Sequence, residues 1–170
     1  MNKHTVITLI AIAVIVAPFV YSGLNIYAAE QLKFRWSEPE KFDYFSMSND
    51  GKMEFCNPLP YNVNFQNFQI TTLYDSHNRG VFTVDSLNIT PSESIIRNGT
   101  FSTDEYNVAK QLFMQMDFEF DGGDISIDPN KMFVLVNINT PIIGVIPYST
   151  TTEYTGFNFD KIMKDRDFDC

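Results

Sequence analysis

From Thr5 to Tyr27 the chain runs for 23 residues with no ionisable side chain other than tyrosine. Val6, Ile7, Leu9, Ile10, Ile12, Val14, Ile15 and Val16 fill its first half. At 1.5 Å per residue, roughly 20 apolar residues cross a hydrocarbon core of about 30 Å. The stretch therefore predicts a membrane-spanning helix in contact with lipid over residues 5–27. Tyr21 and Tyr27 stand where an interfacial aromatic belt would lie, and Pro18 is tolerated in a membrane helix, where neighbouring groups satisfy the freed carbonyl. The competing reading is an export signal cleaved near the small residues Ala28-Ala29. The apolar region of such a signal is usually about 7–15 residues long, and Ile26 and Tyr27 make a poor cleavage site, so an uncleaved anchor over residues 1–29 is the preferred reading.

Beyond Glu30 continuous apolarity gives way to short alternating runs between turn residues. Met53 and Phe55 alternate with Lys52, Glu54 and Cys56. Tyr61, Val63 and Phe65 share one face, and Phe68, Ile70, Thr72 and Tyr74 continue with the phase slipped by one, which predicts a bulge at Gln66-Asn67. The cluster Asp75–Gly80 predicts a turn, with Val81–Val84 returning as the second strand of a hairpin. Further strands are expected at 42–47, 94–101, 116–120, 132–138 and 145–159. Met132, Val134, Val136 and Ile138 alternate with Phe133 and Leu135, so both faces of that strand are apolar and it should be central. Phe65, Phe68, Ile70, Val134 and Val136 are the expected core.

One segment departs from the period of two. Ser102-Thr-Asp-Glu105 has the form of a capping box, and Ala109, Leu112, Phe113 and Met116 follow at helical spacing. A short helix over one end of a sheet is expected, with a strand from Val108 onward as the alternative. Seven or eight short strands in about 140 residues indicate a mainly β body, a sandwich or a barrel. No repeat, low-complexity tract or second domain is visible. The expected layout is an anchor at 1–29, a β body at 30–160 and an acidic tail at 161–170.

Charge narrows the partners. The 170 residues carry 12 Lys plus Arg against 21 Asp plus Glu, and of the basic residues only Lys3 precedes Glu30. So acidic a body works against nucleic acid or anionic lipid bound through a basic face. With 16 Phe, 8 Tyr and one Trp, the body is too rich in rings for a disordered acidic segment. Orientation is opposed by the count of cations, since Lys33, Arg35 and Lys41 follow the span and only Lys3 precedes it. An extracellular body is nonetheless preferred, because four residues with one lysine before an apolar run are how secretory signals begin.

The search for chemistry returns little. No nucleophile elbow, phosphate loop, dinucleotide glycine fingerprint, zinc-protease helix or C-x-x-C is present. Asp75-Ser76-His77 contains triad residue types, but neighbours in one turn cannot adopt triad geometry. Asp121, Asp124 and Asp128 lack the alternate spacing and closing Glu of a calcium loop, so an acidic turn is the simpler reading; Asp117, Glu119, Asp121 and Asp124 are the carboxylates a fold would most readily cluster. Asp165, Asp167 and Asp169 read as a solvated tail. Cys56 and Cys170 are either one bridge tying the C-terminus to an early strand, or a buried thiol and a separate terminal one. Asn88-Ile-Thr90 and Asn98-Gly-Thr100 match the N-glycosylation pattern, with Asn98 expected in a turn beside Gly99. No catalytic residue, cofactor or metal site is assigned.

Cys56-Asn57-Pro58, the aromatic run Tyr61–Tyr74, the hairpin ending at Gly80, Leu87-Asn-Ile-Thr-Pro91 and Thr140-Pro141-Ile142-Ile143-Gly144 occur in an order that resembles the LEA14-like proteins. This is the water-stress and hypersensitive-response (WHy) domain family, in its membrane-anchored archaeal form, and the resemblance covers about residues 40–160. It implies a fibronectin III/immunoglobulin-like antiparallel β-sandwich preceded by one transmembrane helix, without cofactor or active site. The helix-like segment after Ser102 is not part of the family motif. The function it implies is a non-catalytic, membrane-tethered desiccation or water-stress domain that acts by contact with other macromolecules. The alternative is an accessory structural subunit of a membrane protein complex, which the abundance of rings would suit.

Overall fold

The computed structural model describes residues 3–123 and 127–170. Helix α1 (Lys3–Glu30) carries the apolar run, with Pro18 inside it. Strand β1 (Lys33–Trp36) follows after two residues, then a 3₁₀ turn (Pro39–Lys41) and one helical turn, α2 (Tyr44–Met47). Strands β2 (Gly51–Asn57), β3 (Val63–Tyr74), β4 (His77–Ile89) and β5 (Glu93–Ser102) lead to α3 (Tyr106–Phe120). A second 3₁₀ turn (Pro129–Lys131), β6 (Met132–Asn139), β7 (Ser149–Thr155) and α4 (Gly156–Met163) complete the chain.

The seven strands form one antiparallel sheet in the order β1-β2-β5-β4-β3-β6-β7. Strand β5 changes partners along its length: Glu93–Gly99 pairs with β2, and Thr100–Ser102 pairs with β4. Gly99 sits at this handover because the Phe82 ring passes 2.2 Å from where a Cβ would stand, a space no side chain could share. The sheet curls about this point. Phe34 of β1 and Phe55 of β2 each bring their rings to 5.0 Å from Phe68 of β3, and Trp36 lies 5.8 Å from Phe82 of β4. Strands β1 and β3 are four places apart in the sheet, so those contacts require the sheet to close over itself. All five expected core residues are buried within it.

Several expectations are corrected. The phase of burial does slip near Gln66, but β4 slips with it near Asp85-Ser86, and the register runs on unchanged from Phe65↔Leu87 to Asn67↔Asp85. A change matched in both partners needs no bulge; the register shift lies instead between Thr72 and Leu73. The turn expected over Asp75–Gly80 is only Asp75-Ser76, both at positive φ, and β4 resumes at His77. That is the two-residue geometry whose twist matches its strands. Ser102 ends β5 and its hydroxyl donates to the Val81 carbonyl, so no capping box forms and α3 begins after Glu105 without a side-chain cap. Residues 116–120, expected as a strand, are the last turn of α3, and the final strand stops at Thr155, where the threonine hydroxyl caps α4. Strand β6 is flanked on both sides as expected, by β3 and β7.

Within residues 42–47, also expected as a strand, Tyr44–Met47 form α2 because two carboxylates cap it. Asp43 accepts from the Ser46 amide, and Asp117 of α3 accepts from the amides of Tyr44 at 2.7 Å and Phe45 at 2.8 Å. Burial raises the Asp117 pKa to about 6, against the opposing pull of those two amides. The folded chain thus holds this proton more tightly than the unfolded one, whose carboxyl titrates near 3.8. Stability from this group is fully present below about pH 4 and lost as pH rises through 6. Acidifying from pH 7.5 to 4.5 should therefore stabilise the parent relative to Asp117→Asn by of the order of 2 kcal/mol, measured as unfolding free energy at each pH. Parallel pH profiles for the two proteins would show that Asp117 does not titrate in this way.

Candidate functional site

From Ile7 to Tyr21 every residue of α1 is exposed and most are apolar, and the most apolar window of the helix has a mean hydropathy of 2.3. Among the described residues, one helix is thus long and apolar enough to span a membrane. Its last turns differ. Ser22, Asn25, Ala28 and Ala29 recur at three- and four-residue spacing, which places them on one face, and all four are buried against the body.

Asn25 makes the closest junction. Its Nδ2 donates to the Asn64 carbonyl at 2.8 Å, and its Oδ1 accepts from the Asn64 amide at 2.7 Å. Asn64 lies on β3 before the stretch that pairs with β6, which begins at Asn67. A side-chain amide therefore occupies the edge where a neighbouring strand would otherwise bond, which also blunts that edge. Three residues earlier, Ser22 Oγ accepts from the Ile143 amide at 2.8 Å. Ile143 belongs to the β6–β7 connection, a tight hairpin in which Thr140 N–H donates to the Tyr148 carbonyl at 2.9 Å and Ile142 N–H to the Ile146 carbonyl at 2.8 Å. Ile143 and Gly144 form its tip at φ 54° and 74°. Helix, hairpin and Asn64 enclose a groove of about 320 Å³.

The candidate polar chemistry is dispersed. His77 is exposed at the start of β4, its Nδ1 2.8 Å from the Asp75 carbonyl. Asp121 approaches Lys164 at 3.8 Å, Asp128 caps the second 3₁₀ turn, and Asp124 lies outside the described residues. Asp117 accepts from the amides of α2, and it shares the field of Lys164 with Asp121 and Asp160. Among the described residues no three His, Cys, Asp or Glu side chains converge in metal-binding geometry. Asn88 and Asn98 are both exposed, and both lie in paired strands, Asn98 opposite Lys52 in β5 and not in a turn.

Cys56 in β2 and Cys170 are joined as a disulfide, with Cα atoms 5.4 Å apart. The terminal segment leading to it keeps acidic side chains in solvent while its backbone is tied down. Lys33 Nζ donates to the Asp169 carbonyl at 2.9 Å, and Arg35 donates to the Asp165 carbonyl at 3.0 Å and lies under the Phe168 ring. Helix α4 crosses the expected boundary at residue 160, so the irregular segment begins only after Lys164. No family model and no curated protein matches the chain.

Sequence reasoning passed over Ser22 and Asn25. Two polar side chains at i and i+3 in an otherwise apolar helix were the available signal, since a lipid-facing position has no use for either. Their partners, 39 and 121 residues away, left no trace in the sequence.

Proposed function

We propose that this chain is a single-pass membrane protein whose β body is mounted on its anchor and acts by contact, without catalysis, as a water-stress domain of the LEA14-like kind. The observation that carries the reading is the continuity of α1: an exposed apolar helix passes without a break into turns that are buried against β3. Ala28 and Ala29, the small pair of the competing cleaved-signal reading, are core residues, and removing the helix before them would also discard Ser22 and Asn25. The curled sheet is read as a fibronectin III/immunoglobulin-like sandwich, with the rings of β1 and β2 facing those of β3 and β4 across the core. The Cys56–Cys170 bridge supports an extracellular body, since such bonds persist in oxidising compartments.

Alkaline extraction of native membranes followed by N-terminal sequencing tests the mounting. The protein should stay in the membrane pellet and begin at its own N-terminus; release into the supernatant with a start at Ala29 or Glu30 would end the reading. A second reading, an accessory subunit of a membrane complex, is favoured by one feature: Met114 and Phe118, four residues apart on α3, leave adjacent large apolar side chains exposed. Co-purification from gently solubilised membranes separates the two, because only an accessory subunit should leave the membrane in a defined, stoichiometric assembly.

A further inference from the structure

We propose that the hairpin between β6 and β7, residues 141–147, is a second membrane contact, immersed in the interfacial layer of the bilayer beside the point where α1 emerges. The inference rests on the reading of α1 as a membrane span and adds a lipid-binding element to the body itself.

Composition sets this hairpin apart. Residues 132–152 contain no charged side chain, in a protein where charged residues make up 19%. At the hairpin's tip Val145 is 79% exposed, Ile146 48% and Ile143 37%. The turn geometry makes these choices unfavourable in water. Positive φ at two successive central positions suits Asn and Gly, and a β-branched residue there is a genuine outlier. Ile143 nonetheless occupies the first position at φ 54°. The hairpin thus combines backbone strain with exposed aliphatic surface, and such strain persists where it serves a site.

Position supplies the partner. Ile143 is bonded to Ser22, the first α1 residue buried by the body, so the tip and that turn of the helix lie at one level. Below that level the free helix is residues 4–21. Eighteen residues at 1.5 Å rise span about 27 Å, short of a hydrocarbon core of about 30 Å. An upright span must therefore draw the edge of the core up to Ser22, and the aliphatic tip with it. Tyr21 on the helix and Tyr148 at the hairpin's base flank this level, where aromatic side chains meet headgroups. The hairpin also satisfies much of its backbone: Ile142 and Ile146 exchange both hydrogen bonds, and the Ile143 amide is taken by Ser22. That suits entry into a layer poor in water. Because the tip carries no charge, the contact requires no anionic lipid.

The test uses the full chain reconstituted in phosphatidylcholine vesicles containing lipids brominated either near the glycerol or near the chain end. Three single substitutions report position: Val145→Trp at the tip, Ile12→Trp in mid-helix and Glu153→Trp on the exposed side of β7. Trp36 is buried and common to all three, and matching far-UV spectra establish that each variant folds. Val145→Trp should show blue-shifted emission that is lost mainly to the shallow bromines. Ile12→Trp should be quenched mainly by the deep ones, and Glu153→Trp by neither. If Ile12→Trp is quenched and Val145→Trp is not, the span stands and the hairpin contact is overturned; blue-shifted but unquenched emission would then mean that protein, a partner or a second copy, covers the tip. If Ile12→Trp itself escapes quenching, the span reading falls and the inference falls with it. Ile146→Trp repeats the measurement one residue further on.

Discussion

Cys170→Ser is expected to lower the melting temperature of the body by roughly 8–20 °C. The bridge joins positions 114 residues apart, and closing so long a loop removes much of the freedom of the unfolded chain. For loops near this size the chain-entropy account gives about 4.7 kcal/mol, while removal of native bridges typically costs about 2–5 kcal/mol. At about 4 °C per kcal/mol for a domain of this length, the stated range follows. Part of the loss could arise in the folded state, because the segment after Lys164 packs along β1 through Lys33, Arg35 and Phe168. Truncation after Lys164 distinguishes the two origins. If the bridge acts on the unfolded chain, truncation and Cys170→Ser should cost nearly the same; if packing dominates, truncation should cost clearly more. An unchanged melting temperature after Cys170→Ser would show that the bridge does not contribute to stability.

How much of this architecture could be read from residues alone depended on whether the governing contact was local. The continuous apolarity of α1 and the alternation in β3 and β6 are properties of single segments; each predicted its element, and the alternation also predicted the buried face of its strand. Segment 42–47 was misread because Phe42, Tyr44 and Phe45 favour a strand, whereas the helical turn is capped by Asp43 and by Asp117, the second more than 70 residues away. Residues 116–120 alternate Met, Phe and Phe as a strand would, yet they continue the helical spacing of Ala109, Leu112 and Phe113. Ser102 could serve a helix cap or a strand, and pairing with Val81 decided for the strand. Strand β1 is only four residues long, too short for Phe34 and Trp36 to establish a period.

The site was divided in the same way. An apolar, uncharged 141–147 segment is visible in the sequence, and so is the oddity of Asn25 within an apolar helix. That the two meet at one level is a product of the sheet order, which brings the β6–β7 connection beside the end of α1. Catalytic chemistry is a different matter, since carboxylates are plentiful and only the fold could have gathered them. Asp117 shows how the fold used one: it was singled out as a member of a cluster, and it caps α2 from outside while sharing the field of Lys164 with Asp121.

Phe68→Ala should be the most damaging single truncation in the core, lowering stability by about 3–5 kcal/mol. The Phe68 side chain is fully buried, and its ring meets Phe34 of β1 and Phe55 of β2 edge-on at 5.0 Å and Phe65 of its own strand at 6.3 Å. It therefore joins β3 to the β1–β2 end of the curled sheet, which no backbone hydrogen bond does directly. Three ring partners lose their contact at once, and favourable aromatic pairs contribute about 0.5–1.5 kcal/mol each beyond area burial. Strands β2 and β3 at the vacancy are each held by ladders on both sides, so the site can collapse only partly. Phe68→Leu keeps much of the volume and should cost less than the alanine change. Phe118→Ala, at an exposed position on α3, should stay within about 0.5 kcal/mol of the parent. Denaturant midpoints of the full chain in one detergent, with unchanged slope, give the comparison. Should Phe68→Ala and Phe118→Ala prove equally mild, the rings would not hold β3 against the β1–β2 end of the sheet, and the curl of the body would need another cause.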